Sequence, residues 1–197
     1  MEHLPVTADR LSGYTERDLD GDLARWFPRL ERMSPVVRQV SPFLAKLPPD
    51  AARALVSFDT RVRSGQMPNF IDENWPEGDY GFDFRAEGAE DLLAGNPEEA
   101  VSADDVWPLG VDGGGNRYLM MTNGRVMAWD HSGGVEGYEW SGFSSMDVFL
   151  WAMVRYRAVV TGVLPADEVR ADFVAMGEPG ISNPVLGLLR RIAEEGC

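Results

Sequence analysis

Arg117-Tyr-Leu-Met-Met-Thr-Asn-Gly-Arg-Val-Met-Ala-Trp-Asp130 reads as two apolar runs separated by Asn123-Gly124. A type I′ turn needs positive φ at both central positions, which Asn and Gly tolerate, so this pair is the strongest short-range hairpin signal. A two-residue turn predicts Met121 opposite Val126, Met120 opposite Met127, Leu119 opposite Ala128, Tyr118 opposite Trp129 and Arg117 opposite Asp130. Leu119, Met121, Val126 and Ala128 would then share one face, and Tyr118, Met120, Met127 and Trp129 the other. Both faces are apolar. The hairpin is therefore expected inside a larger sheet, covered in part on each side.

Around this hairpin the β pattern continues. Val106-Trp107-Pro108-Leu109 reads as a short strand whose proline suits an edge or a strand end, and Asp112-Gly113-Gly114-Gly115-Asn116 reads as a turn. Val135–Trp140 supplies another candidate strand. Ser144 with Asp147 forms a capping-box pattern before Met146, Phe149, Leu150, Met153 and Tyr156, which recur at helical spacing. This helix is apolar nearly all round and is expected to lie buried against the sheet. Helices over Ala166–Met176 and Pro184–Glu195 follow, the last as a peripheral addition.

The first 71 residues read as helices. Thr15 with Asp18 resembles a capping box before Leu19, Leu23, Trp26, Phe27 and Leu30, with Pro28 as a break. Ser34-Pro35 opens a second segment carrying Val36, Val37, Val40, Phe43, Leu44 and Leu47. After Pro48-Pro49-Asp50, a third runs to about Arg63 and buries Ala54, Leu55, Phe58 and Val62. Between Ser64 and Asp105 the chain is rich in Gly, Pro, Asn and acids, with one strand near Tyr80–Phe84 and a helix near Ala86–Ala94.

These elements give an α+β fold with a central mixed or antiparallel sheet packed on helices. The expected organisation is a helical N-terminal region over 1–71 in the same domain, a sheet-and-helix core over 72–160, and a C-terminal helical extension over 161–197.

The 197 residues carry 18 Lys and Arg against 32 Asp and Glu, a formal charge of −14. From Asp72 to Asp112 lie 13 acids and one opposing base, Arg85, whereas residues 1–71 hold 10 bases and 9 acids. Nucleic acid and anionic lipid should be repelled, and a basic protein partner attracted and steered. Acidity also serves solubility alone, but clustering in one stretch points to a docking face. Its candidate residues are Asp72, Glu73, Trp75, Glu77, Asp79, Asp83, Glu87, Glu90, Asp91, Asp104 and Asp105. Trp75, Trp107 and Trp140 are candidate exposed anchors, Trp75 first among them, while Trp129 and Trp151 belong to the core.

The residues from Trp107-Pro-Leu-Gly-Val-Asp112-Gly-Gly-Gly-Asn-Arg-Tyr118, through Asn123-Gly124 and Trp129-Asp130-His131, to Ser144-Ser-Met-Asp-Val-Phe-Leu150 resemble the SUKH superfamily of Smi/Knr-like domains. The resemblance spans about Asp105 to Arg157. Leu47-Pro48-Pro49-Asp50 is similar to the opening segment of that family, without the Gly-Gly pair usual after the next helix. The resemblance implies an α+β fold and an immunity protein that neutralises a bacterial toxin; a nuclease, being basic, would fit. Other members are intracellular regulatory interaction modules, which is the alternative. The resemblance supplies no shared catalytic residues.

Chemistry finds little footing. Gly113–Gly115 lacks the Lys-Ser/Thr of a phosphate-binding loop and precedes a strand, so Asp112, Gly113, Gly114 and Gly115, like Asn123 and Gly124, are read as turn formers. Asp130-His131 is the only acid–base pair. Neighbours in a strand diverge, Asp130 is expected to pair with Arg117, and no nucleophile accompanies His131. Cys197 is the sole cysteine and terminal, and with only His3 and His131 no Cys/His zinc site can form, although carboxylate sites for magnesium or calcium stay open. The expectation is a non-enzyme without cofactor or metal, not bound to membrane or nucleic acid. The start, MEHLPVTADRL, lacks a signal-peptide pattern and no apolar run is long enough to span a bilayer, so a cytoplasmic location is expected.

Overall fold

A computed structural model describes residues 6–30, 42–67, 82–84, 102–112, 117–129, 142–183 and 187–195. In chain order the elements are α1 (Tyr14–Arg17), α2 (Leu19–Trp26), α3 (Pro49–Arg63), β1 (Phe82–Phe84), β2 (Val106–Asp112), β3 (Arg117–Met121), β4 (Val126–Trp129), α4 (Met146–Val160), α5 (Ala166–Met176), α6 (Pro179–Ser182) and α7 (Leu188–Glu195). Single 3₁₀ turns occupy Ala8–Leu11, Pro42–Lys46 and Ala103–Asp105. The fold is α+β, and its sheet is an antiparallel meander in the order β1-β2-β3-β4. Expected elements at 34–41, 86–94 and 135–140 lie outside the described residues.

β3 and β4 pair as expected, but one residue out of the expected register. Arg117 faces Trp129, Tyr118 faces Ala128, Leu119 faces Met127 and Met120 faces Val126. The cause is the turn. Among the described residues only glycines have positive φ, so Asn123 cannot sit in a type I′ turn; Gly124 alone has φ 84°. Met121 N–H donates to Arg125 O at 2.9 Å and Gly124 N–H to Met121 O at 2.9 Å, enclosing a three-residue loop of Thr122, Asn123 and Gly124. Asn123 Oδ1 accepts from Arg125 N–H at 3.0 Å and braces the loop.

A one-residue slip exchanges faces. Tyr118, Met120, Val126 and Ala128 join the main hydrophobic core, whereas Leu119, Met127 and Trp129 are buried outside it. The hairpin is thus covered on both faces. The expected cross-strand pair of Arg117 with Asp130 is also displaced, since Trp129 stands opposite Arg117.

β2 is irregular between Pro108 and Gly110, where Leu109 is the extra residue against β3. β1 reaches only Gly110, Val111 and Asp112, so Pro108 pairs on one side only, where a missing N–H is tolerated. Trp107, expected at the surface, is buried, with its ring 5.9 Å from Phe43. It stands opposite Met120 on the core face of the sheet, and the two-residue period leaves it no other place.

α4 is the centre of the molecule. Its residues from Val148 to Val154 are all buried, so no polar face is needed. Against the sheet, Phe149 packs 5.1 Å from Tyr118 and 5.3 Å from Phe143. Away from it, Trp151 packs 5.7 Å from Phe173 of α5. α1, α2, α3, α5 and α7 all contact α4. The N-cap is Ser145, whose Oγ accepts from Val148 N–H at 3.3 Å, not Ser144 as expected. Nor does Thr15 cap a helix. It lies fully buried inside α1, whose start is Gly13 at φ 78°.

The C-terminal helices are not peripheral. α5 matches its expected bounds, and Val169, Phe173, Ile181, Leu188 and Ile192 belong to the same core as Leu19, Leu55 and Phe149. Gly180 N–H donates to Gly142 O at 2.7 Å, and a side chain at Gly180 would collide with the Phe143 ring.

Candidate partner-binding surface

The turn Ala103–Asp105 delivers two acids to the start of β2. Ser102 caps it, its Oγ accepting from Asp104 N–H at 3.3 Å while its carbonyl accepts from Asp105 N–H at 2.9 Å. Both aspartates are exposed. Lys46 reaches across from the Pro42–Lys46 turn, donating to Asp104 O at 2.8 Å and to the Asp105 carboxylate at 3.1 Å. This pair is open to solvent on both sides, a setting in which an ion pair contributes only about 0–1 kcal/mol. Among the described residues no ion pair engages the Asp104 carboxylate.

Asp83 lies in β1 opposite Val111, and Asp112 ends β2 opposite Phe82. Asp104 and Asp105 precede the other end of β2. With about 3.3 Å of rise per residue, the two groups of acids stand roughly 20 Å apart along the strand. The acids described here therefore flank the β1–β2 part of the sheet at both ends; they do not form one tight cluster. Asp72, Glu73, Trp75, Glu77, Asp79, Glu87, Glu90, Asp91, Gly113, Gly114 and Gly115 lie outside the described residues. So do Asp130, His131, Trp140 and Cys197.

Other carboxylates, none of them expected in the docking face, are bound up inside the helical half. Asp147 of α4 accepts from Gly13 N–H at 2.7 Å and from Thr15 N–H at 2.8 Å, filling the donors that open α1. Glu178 accepts from Ser144 N–H at 2.9 Å and from Ser144 O–H at 2.6 Å. Asp22 accepts from Tyr14 O–H at 2.8 Å and from Arg155 at 3.3 Å. The Arg155 guanidinium lies 4.8 Å from the Trp26 ring centre and 4.4 Å from that of Trp151. Burial, followed by the Asp22 charge, pushes the Tyr14 phenol far above its ordinary range, while Arg155 opposes them. Tyr14 accordingly stays protonated and serves as a donor.

Among the described residues no group of three or more His, Cys, Asp or Glu could hold a metal ion. An open groove of about 360 Å³ beside α3 is lined by Glu16, Ala52, Arg53, Val56 and Ser57. Its two charged residues hold each other at 3.4 Å, so neither is poised for proton transfer. Among the described residues no helix is long and apolar enough to cross a membrane. Comparison with protein-family models, with curated proteins and with solved structures finds no match for this chain.

Proposed function

We propose that this chain is a non-catalytic binding protein that docks a basic protein partner through its acidic segment, as an immunity protein of SUKH type does when it neutralises a bacterial toxin. The observation that carries the reading is the separation of charge along the sequence, with 13 acids against one arginine from Asp72 to Asp112. Where the acids of that segment are described with their side chains, at Asp104 and Asp105, they are exposed, and among the described residues Lys46 alone forms an ion pair with them. Opposite charge would accelerate encounter, and aromatic contacts such as Trp75 would hold the complex. A nuclease toxin fits because an active site that attracts phosphate is itself basic. No cofactor, nucleic acid or membrane enters this reading, and the cytoplasm is where a toxin acting inside the cell would be met.

Co-expression with each large neighbouring gene tests the reading: rescue from killing by one of them is expected. Absence of rescue, together with no basic protein recovered at low salt, would overturn it. A regulatory interaction module is the second reading, and the resemblance to regulatory members of the same superfamily favours it. Capture of a basic partner whose own expression is harmless would decide for it.

A further inference from the structure

α3 turns Ala54, Leu55 and Phe58 into the core, yet it leaves Val56 48% exposed and outside the core cluster. A lone valine in water needs no explanation. This one, however, shares the floor of a groove with Ala52, one helical turn back. The groove, of about 360 Å³, is walled by Glu16 of α1 and by Arg53 and Ser57 of α3. Its polar groups are already engaged. Ser57 Oγ donates to Thr15 O at 3.4 Å and accepts from Arg61. Arg53 is pinned through two nitrogens, Nε to Glu16 at 3.4 Å and an Nη to Asp50 at 2.5 Å. Its guanidinium therefore lines the groove as a fixed cationic plate.

Floor, wall and rim define what fits. The groove is open, so it cannot enclose most of a small free ligand as a dedicated pocket does, whereas a side chain carried by a larger partner needs no such enclosure. An apolar floor beside a fixed guanidinium favours an aromatic ring, which buries carbon surface on Val56 and Ala52 and attracts the Arg53 cation. The rim adds charge. Glu16 and Asp50 both face Arg53, and the Asp50 side chain is 88% exposed, so a cation next to the ring is drawn in and an acid repelled. We propose that this groove seats one aromatic side chain of the protein partner, with a neighbouring Lys or Arg meeting Asp50. This inference rests on the reading of the chain as a binder of basic proteins, and it adds a contact outside the segment from Asp72 to Asp112.

The test uses the full chain with isotope-labelled Val and Ala methyl groups and short peptides blocked at both ends. These are Lys-Gly-Trp-Gly-Lys, the same peptide with Trp replaced by Leu or by Ala, and Glu-Gly-Trp-Gly-Glu. The Lys-Trp peptide is expected to move the Val56 and Ala52 methyl resonances saturably. Leu should bind about threefold more weakly, through loss of the cation–π contact, and the Ala and Glu peptides at least about tenfold. Val56→Gln, at a position already half in water, should keep the parent urea midpoint and lose at least about tenfold in affinity for the Lys-Trp peptide. Asp50→Asn should weaken that peptide about threefold at low salt. Shifts confined to other methyl groups, equal binding of the Trp and Ala peptides, or affinity unchanged in Val56→Gln overturns the groove as an aromatic seat, as does the absence of any saturable shift. In the co-expression assay, rescue by the parent and by Val56→Gln alike also overturns it and leaves the docking reading standing. Failure of the parent to rescue counts against that reading itself.

Discussion

Asp147 and Asp104 are both aspartates beside a short helical turn, yet the fold uses them in opposite ways. In the helical half, Asp147, Glu178 and Asp22 each accept two hydrogen bonds from elsewhere in the chain. Glu16 and Asp20 are taken up by Arg53 and Arg61 of α3. Beside the sheet, Asp104 and Asp105 face solvent with one lysine between them. A carboxylate becomes structural when packing brings it donors that water no longer serves. One left in water contributes little to stability and stays available to a partner. The two regions thus differ in what holds their acids: hydrogen bonds of the fold in one, water in the other.

Replacing Asp147 by Ala should give the largest loss. It strands the Gly13 and Thr15 amides and removes two charge-assisted bonds, so urea denaturation should report a loss of about 3 kcal/mol. A loss under about 1 kcal/mol would erase the contrast between the two regions. Glu178→Ala is expected to cost about 2 kcal/mol, because Ser144 keeps its hydroxyl and can turn it toward solvent.

Tyr14→Phe is smaller, about 1 kcal/mol at neutral pH, through the lost bond to Asp22. It carries a pH signature as well. The folded phenol titrates above its ordinary value of 10.0, so the unfolded chain releases this proton first as pH rises. The contribution of Tyr14 is therefore complete below about pH 10 and erodes above it. Denaturation midpoints measured from neutral to strongly alkaline pH should fall less steeply in the Phe variant. Parallel slopes would show that Tyr14 is not held as described.

Asp104→Asn combined with Asp105→Asn should move stability by no more than about 0.5 kcal/mol. Capture of a basic partner should weaken in the same variant, most at low salt, because exposed charges act over the screening length. A large loss of stability here would place these acids with the structural set and leave the docking face without its described members.

Periodicity was legible wherever packing follows it. The bounds of α5, the all-round apolar character of α4 and the apolar runs on either side of Asn123-Gly124 follow from spacing alone. Both capping-box patterns misled for a shared reason. Thr15-x-x-Asp18 and Ser144-x-x-Asp147 have local form, but Asp147 turns to an amide 134 residues away and Thr15 is buried within α1. Trp107 misled because a strand residue is exposed or buried according to which face meets the core, and its own string does not say which. Of the candidate docking residues, Asp104 and Asp105 are exposed, and Asp83 lies by its backbone in β1.

Composition and pattern alone determined the α+β class, a hairpin apolar on both faces and the gathering of negative charge between Asp72 and Asp112. Tertiary structure decided the hairpin register, the N-cap of α4, the burial of Trp107 and the place of the C-terminal helices in the core. The division has a physical cause. Periodicity and net charge are sums over neighbours in the chain, whereas a turn containing Asn123-Gly124 is compatible with both a two-residue and a three-residue loop. Which geometry prevails depends on what the strands must cover, and in this fold Tyr118, Met120, Val126 and Ala128 all meet the core only in the register the three-residue loop allows.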